Sequence, residues 1–265
     1  MMHLDTALGS TWSDLVDRWD AQQSVYVEGR ERGYGVMLSV LDSLLPGAIT
    51  VLDLAAGPGS LSKRLLEHRA NARSVAVDLD PVLQALGRNA LGDMGGRLHW
   101  VKADLRDVGW TEQLQEYDVD AVLSSTATHW LKPAELANLY QSLAAVMRPG
   151  GVFLNFDGFP PRNAASRFSA VAKDIHGTRQ ERALANGAEA WQDWWDAVRA
   201  LPSLSAEFEE RDRVFAPARG RIFSGSDHKN GTSFEYHESS LFEAGFAEVD
   251  VIWQDLQKKI VMAVR

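Results

Sequence analysis

No cysteine occurs in the 265 residues, which excludes disulfides, thiolate nucleophiles and cysteine-ligated zinc together. Histidine is sparse too. None of the seven sits two or four positions from another, and no carboxylate cluster flanks them, so no metal centre is expected. Basic charge is in the minority: 27 Lys and Arg against 36 Asp and Glu leave a formal net charge of −9. Such a chain has no general attraction for nucleic acid or an anionic membrane. Long apolar runs are also missing, none approaching the roughly 20 residues that span a bilayer. The opening MMHLDTALGSTWSDLVDRWD carries acids where a signal peptide needs a basic and then an apolar segment. The expectation is a cytoplasmic protein with a small-molecule substrate and neither nucleic acid nor membrane as partner. Oligomeric state stays open.

What is present is an alternation. The first 45 residues read as helix, with Trp12, Leu15, Val16 and Trp19 on one face, until Pro46-Gly47 stops the stripe. Five short apolar runs follow: Ile49–Leu54, Ser74–Leu79, Arg97–Lys102, Val119–Ser124 and Gly151–Asp157. Helical patterns separate them at Ser60–His68, Pro81–Ala90 and Pro133–Met147, opened by Ser60 as N-cap and by the two prolines. This order implies a parallel sheet covered on both faces. Between Gly158 and about Gly231 the pattern lapses into two helices, Asn163–Ala185 and Glu189–Leu201, and then a polar loop, EFEERDRVFAPARGRIFSGSDHKNG. A helix ended by Gly245 follows. The segments FAEVDVIW and KKIVMAV close the chain as a hairpin, with Ala247, Val249, Val251 and Trp253 on one face.

The chemistry gathers where strands end. In VLDLAAGPGSLSKRL, Asp53 ends the first strand, Gly57 and Gly59 make the turn, and Ser60 starts a helix. Glycines let a ligand lie against the main chain, whose free N–H groups point toward it. Nicotinamide, phosphate and sulfonium ligands all use such turns, so the neighbours decide. Asp78 ends the second strand, placed to accept from both hydroxyls of a ribose. Asp104 follows the third, placed to accept from the exocyclic amine of adenine, with Leu79 and Leu105 closing over the base. Three acids on one rim suit an adenosine-bearing ligand.

These residues carry a resemblance. VLDLAAGPG, VDLD and KADLRD resemble, in order, the first motif, the ribose acid and the adenine motif of the class I S-adenosylmethionine-dependent methyltransferases. YDVDAVLSSTATHWL is similar to that family's fourth strand and methyl-facing loop, and RPGGVFLNFD to its turn into the fifth strand. The resemblance covers about residues 49–157 and 233–265. It departs at Ala55, where many members have glycine. It implies an α/β fold, a seven-stranded, mostly parallel Rossmann-like sheet with a reversed last strand and helices on both faces. Residues 47–157 and 233–265 would form the cofactor-binding core, 1–46 a helical segment covering the cofactor, and 158–232 a substrate cap. The implied cofactor is S-adenosyl-L-methionine, giving S-adenosyl-L-homocysteine, held by Arg32 (or Arg30), Asp53, Ala55, Gly57, Gly59, Asp78, Leu79, Asp104, Leu105 and Ser124.

On the acceptor side, His129 reads as a general base beside the methyl group or as a hydrogen-bonded loop histidine. Trp130 would stack on the acceptor or line the cavity next to the sulfonium. Trp191 and Trp195 fall on a helical stripe with Trp194 and Val198, which reads as core packing, as substrate contact, or as both. His228, Tyr236 and His237 are further roof candidates. The expected activity is methyl transfer to O, N or C of a metabolite. Two alternatives stand beside it. One is a protein that binds this cofactor without methylating. The other is a nicotinamide oxidoreductase, disfavoured by the Ala55-x-Gly57-x-Gly59 spacing and the lack of a following Tyr-x-x-x-Lys.

Overall fold

The computed structural model describes residues 2–161, 163, 165–216 and 231–265. Its sheet has seven strands: β1 (Ile49–Leu54), β2 (Ala72–Asp78), β3 (Leu98–Lys102), β4 (Val119–Ser125), β5 (Met147–Gly158), β6 (Glu248–Asp255) and β7 (Lys258–Val264). Their order is β3-β2-β1-β4-β5-β7-β6. β1 to β5 run parallel, and β7 is antiparallel to both β5 and β6. The expected reversed strand and terminal hairpin are therefore present. The order turns outward in both directions from β1 and β4, and open α/β sheets bind ligands above the carboxyl ends at such a switch point.

The helices are α1 (Met2–Tyr26), α2 (Arg30–Leu44), α3 (Ser60–His68), α4 (Pro81–Leu91), α5 (Pro133–Val146), α6 (Arg167–Ala185), α7 (Trp191–Arg199), α8 (Ser205–Phe215) and, before the hairpin, α9 (Phe234–Ala244). Among the described residues, no helix is long and apolar enough to cross a membrane. Alternate strand residues divide between two cores. Leu52, Val75, Val122 and Phe153 face α5 and α9, while Val51, Ala76, Leu123 and Phe156 face α2 and α3. A third cluster joins Trp12, Leu15, Val16 and Trp19 of α1 to Val82, Leu83 and Leu86 of α4 and to the tryptophans of α7. The α1 stripe is thus buried as its spacing predicts.

Two expectations fail. Residues expected to begin a polar loop form α8 instead, with Phe208 and Arg211 buried on one side. Arg211 is what charge density concealed. Its guanidinium lies 4.0 Å from the Trp195 ring centre, and its Nε donates to Asp80 at 2.6 Å. The second failure is the single face assigned to the last-but-one strand. A bulge between Val251 and Trp253 leaves Val249 and Val251 against the α5–α9 core and turns Trp253 to the α2–α3 core, 5.5 Å from Phe156.

Gly87, inside α4, brings that helix onto the glycine turn. A Cβ there would lie 2.2 Å from the Trp100 ring and 2.7 Å from the Pro58 carbonyl oxygen. Gly-to-Ala in a helix interior ordinarily stabilises by roughly 0.5–1 kcal/mol. Here overpacking against backbone reverses the sign, and Gly87→Ala should cost about 1–3 kcal/mol. The check is a lower urea midpoint at an unchanged m-value.

Candidate active site

At the carboxyl end of β1 the chain makes three left-handed steps, at Ala55 (φ 51), Gly57 (φ 57) and Gly59 (φ 84). The alanine bears a cost of roughly 1–2 kcal/mol that glycine would not. Asp53 secures the turn from below: its Oδ2 accepts from the Ser62 amide at 2.9 Å and the Ser62 hydroxyl at 2.6 Å. Burial pushes its carboxyl up to about 6, against those two bonds and the charge of Arg30. Asp78, ending β2, accepts from the Gly57 amide at 2.6 Å and the Asp80 amide at 2.7 Å. Burial, then the neighbouring Asp80 charge, push it up to about 7. A carboxylate has about four lone-pair positions, so two amide bonds leave capacity for hydroxyl donors. The glycine turn and the carboxyl at the end of β2 are therefore joined directly.

Asp104 is less available. Both oxygens accept from the Arg106 guanidinium, and the Arg106 amide donates to Oδ1 as well. Burial resists ionisation there, but these bonds hold the carboxyl below its ordinary range. Leu79 and Leu105 are half-buried beside their strand ends. Ser124, near the end of β4, is fully buried, and its hydroxyl has no hydrogen-bond partner among the described residues.

The arginine assignment needs correction. Arg32 is exposed on α2, whereas Arg30, 5% exposed, faces inward. Arg30 Nη2 donates to Asp20 at 2.8 Å, and its guanidinium stands 4.8 Å from the Tyr34 ring centre. Asp20 also accepts from the Ser60 hydroxyl (2.5 Å) and from Arg64 (2.9 Å). Burial works against ionisation, yet Arg30, Ser60 and Arg64 hold Asp20 below its usual range. This network clamps α1 and α2 to the start of α3. Trp19, one residue before Asp20, would lie 4.0 Å from a Cβ on Gly57.

On the other side of β4 a polar column crosses from strand to loop. Asn155 Nδ2 donates to Thr128 Oγ1 (2.9 Å), and Thr128 Oγ1 donates to Asp157 Oδ2 (2.7 Å). The His129 amide donates to the same oxygen at 3.1 Å, and His129 Nδ1 lies 2.6 Å from Asp157 Oδ1. Burial alone would raise Asp157, but His129, Lys258 and Thr128 hold it well below the carboxylate range. An ionised carboxylate only accepts, so Nδ1 carries the proton and Nε2 is the basic nitrogen. This is the tautomer a general base needs. Burial draws the Lys258 ammonium below the usual lysine range, against attraction from Asp157 and Glu28.

The remaining candidates separate. Trp130 is 42% exposed, its ring 4.7 Å from that of His129. Trp195 is core, edge-on to Trp194 and Phe208, while Trp191 is 39% exposed and packs on Trp19 at 5.5 Å. Tyr236 donates to the Pro133 carbonyl at 2.6 Å, tying α9 to α5. His237 is buried, with Tyr140 Oη 2.5 Å from Nδ1 and Thr232 Oγ1 2.6 Å from Nε2, and burial lowers it to about 4. Tyr236 and His237 are thereby interface and core groups. His228 lies outside the described residues. Sequence reasoning missed Asp20, Asp157 and Lys258. Asp157 alone carried a signal, being a strand-end acid like Asp53 and Asp78.

Comparison with known proteins agrees with this geometry. The methyltransferase-domain family matches residues 51–151, from within β1 into the first part of β5. The trans-aconitate 2-methyltransferase of Azoarcus sp. is 33% identical over 135 residues, 51% of this chain and 48% of that protein. Over this region the chain is similar to the class I S-adenosylmethionine-dependent methyltransferases. It spans about half the length of the curated relatives it matches. The same fold recurs in a putative O-methyltransferase of Nostoc punctiforme (TM-score 0.56, 16% identity, 89% of this chain and 56% of that one). It recurs again in human N-acetylserotonin methyltransferase in complex with SAM (TM-score 0.55, 12% identity, 95% of this chain and 56% of that one). The glycine turn after β1, Asp78 at the end of β2 and the loop after β4 follow one another in the order that the resemblance implies.

Proposed function

We propose that this methyltransferase moves a methyl group from S-adenosylmethionine to O, N or C of a small-molecule metabolite by in-line displacement. The observation that carries the reading is the 2.6 Å bond from the Gly57 amide to Asp78, which joins the glycine turn to the acid that ends β2. The donor set fits the cofactor. Asp78 would take the ribose hydroxyls, and Asp104, sharing its charge with Arg106, the adenine amine. Arg30 rather than Arg32 would meet the amino-acid carboxylate beside Ala55, Gly57 and Gly59. The buried Ser124 hydroxyl, without a hydrogen-bond partner among the described residues, supports a ligand partner at the end of β4. When bound, the cofactor supplies a methyl group on a positively charged sulfur. The chain's own part is to hold the nucleophile near that carbon at about 3–3.5 Å and keep water out. His129, oriented by Asp157, would take a proton from a neutral acceptor through Nε2. The segment 1–46 would cover the cofactor and 158–232 the acceptor. This reading is supported by Trp19 against the glycine turn and by Arg211 of α8 on Asp80. The Azoarcus relative's name, trans-aconitate 2-methyltransferase, supports a metabolite as acceptor.

The test is binding. S-adenosylhomocysteine at about 100 times its Kd should add roughly 2.7 kcal/mol, or roughly 5–10 °C in Tm, and NADH should add nothing. Ribose hydroxyls require the ionised Asp78, so binding must release its proton wherever the free carboxyl is protonated. With that group at about 7, affinity should fall by about tenfold per pH unit below 7 and level off above it. A flat profile between pH 5.5 and 8 removes the ribose role, and equal response to both ligands removes the cofactor.

A further inference from the structure

Lys258 opens β7 directly opposite Gly158, the last residue of β5. A Cβ on Gly158 would stand 3.5 Å from the Lys258 ammonium, so the missing side chain leaves the lysine room to lie across the strand end. Two carboxylates attract it, Asp157 and Glu28. Neither is within ion-pair distance, and the ammonium makes no hydrogen bond among the described residues. Both carboxylates are engaged elsewhere. Asp157 accepts from Thr128, from the ring and the amide of His129, and from the Gly158 amide at 2.7 Å. Glu28 accepts from Arg179 at 2.7 Å. A half-buried ammonium left without a direct partner is costly. This one sits one residue along the rim from the carboxylate that orients His129.

We propose that Lys258 binds an anionic oxygen of the methyl acceptor, and that the substrate class is therefore carboxylic acids. The proposal rests on the methyltransferase reading. Acid and ammonium would form a charge-assisted bond in a site partly withdrawn from water, where such bonds are strongest. Glu28 also has His176 Nδ1 at 3.8 Å, so its charge is met by groups other than Lys258. A carboxylate is the chemistry this arrangement selects. The competing account gives Lys258 only the role of balancing Asp157 and Glu28.

The experiment uses the full chain saturated with S-adenosylhomocysteine, titrated by calorimetry with trans-aconitate, succinate and benzoate and with succinamide and benzamide. At least one acid should bind and the amides should not. Lys258→Met should weaken that acid by about tenfold or more, and Lys258→Arg by no more than about threefold. Retained S-adenosylhomocysteine affinity certifies each variant as folded. If no acid binds the loaded wild-type protein, or if Lys258→Met binds it equally well, the proposal is overturned. Failure of the wild-type protein to bind S-adenosylhomocysteine would instead remove the underlying reading.

Discussion

Arg30→Met is expected to weaken S-adenosylhomocysteine binding by about tenfold to a hundredfold, and Arg32→Met to leave it unchanged. The range follows from losing one charge-assisted bond, worth roughly 1.5–3 kcal/mol. Arg30 is held ready for it: buried, stacked on Tyr34 and bonded to Asp20. Its place is fixed by the turn before α2. Gly29 has φ 68, and a Cβ there would press 2.9 Å from the Trp253 ring, so the turn backs onto the terminal hairpin. The variant should also lose stability, since Asp20 keeps Arg64 but Asp53 loses the cation that favours its ionised form. Stability alone cannot separate a binding role from a scaffolding one. 5′-Methylthioadenosine, which lacks the amino-acid tail, does so. Wild type and Arg30→Met should bind it alike, and an equal loss for both ligands would make Arg30 purely structural. Arg30→Lys should recover part of the affinity without the forked geometry.

Those two arginines show where the sequence stopped being informative. The elements themselves were legible: β1, α3 and β7 fall where apolar periodicity, the Ser60 start and strand alternation place them. The three acids were legible because each follows a strand, and strand ends share one rim in a parallel sheet. Arg30 and Arg32 differ by roughly 200° around a helix. Which one points inward depends on how the Gly29 turn sets the rotation of α2, a tertiary property. Trp253 changed face through one bulged residue, which no period-2 count registers. α8 was hidden because its inward side includes Arg211, a charge whose partners, Asp80 and Trp195, come from distant parts of the chain. Asp20 and Lys258 share that history. Each is an ordinary surface type until a distant element closes over it.

The second large effect is expected at Asp157. With the acceptor supplied, Asp157→Asn should lower kcat by about 10²- to 10⁴-fold, the range associated with losing a positioned general base. S-Adenosylhomocysteine affinity should hold within a few-fold. The reason is directional. Asp157 is ionised and accepts the Nδ1 proton of His129 at 2.6 Å; an asparagine amide can turn its N–H₂ toward Nδ1 and stabilise the opposite tautomer, placing the proton on Nε2. Histidine ¹⁵N spectra read this without any acceptor: the Nδ1-protonated form should dominate in the wild-type protein and decline in the variant. The stability change has its own sign. A carboxyl whose folded pKa lies below its unfolded value stabilises the native state fully above the unfolded value, about pH 4, and loses that contribution as pH falls toward the folded one. Asp157→Asn should therefore cost stability at pH 7 and progressively less in strong acid. His129→Asn should match its loss of kcat, and the double variant should be no slower than either single one, because the two side chains act as one unit. Additive losses would mean that each acts without the other, so that Asp157 does not orient His129, and an undiminished kcat in His129→Asn would leave His129 without a catalytic role.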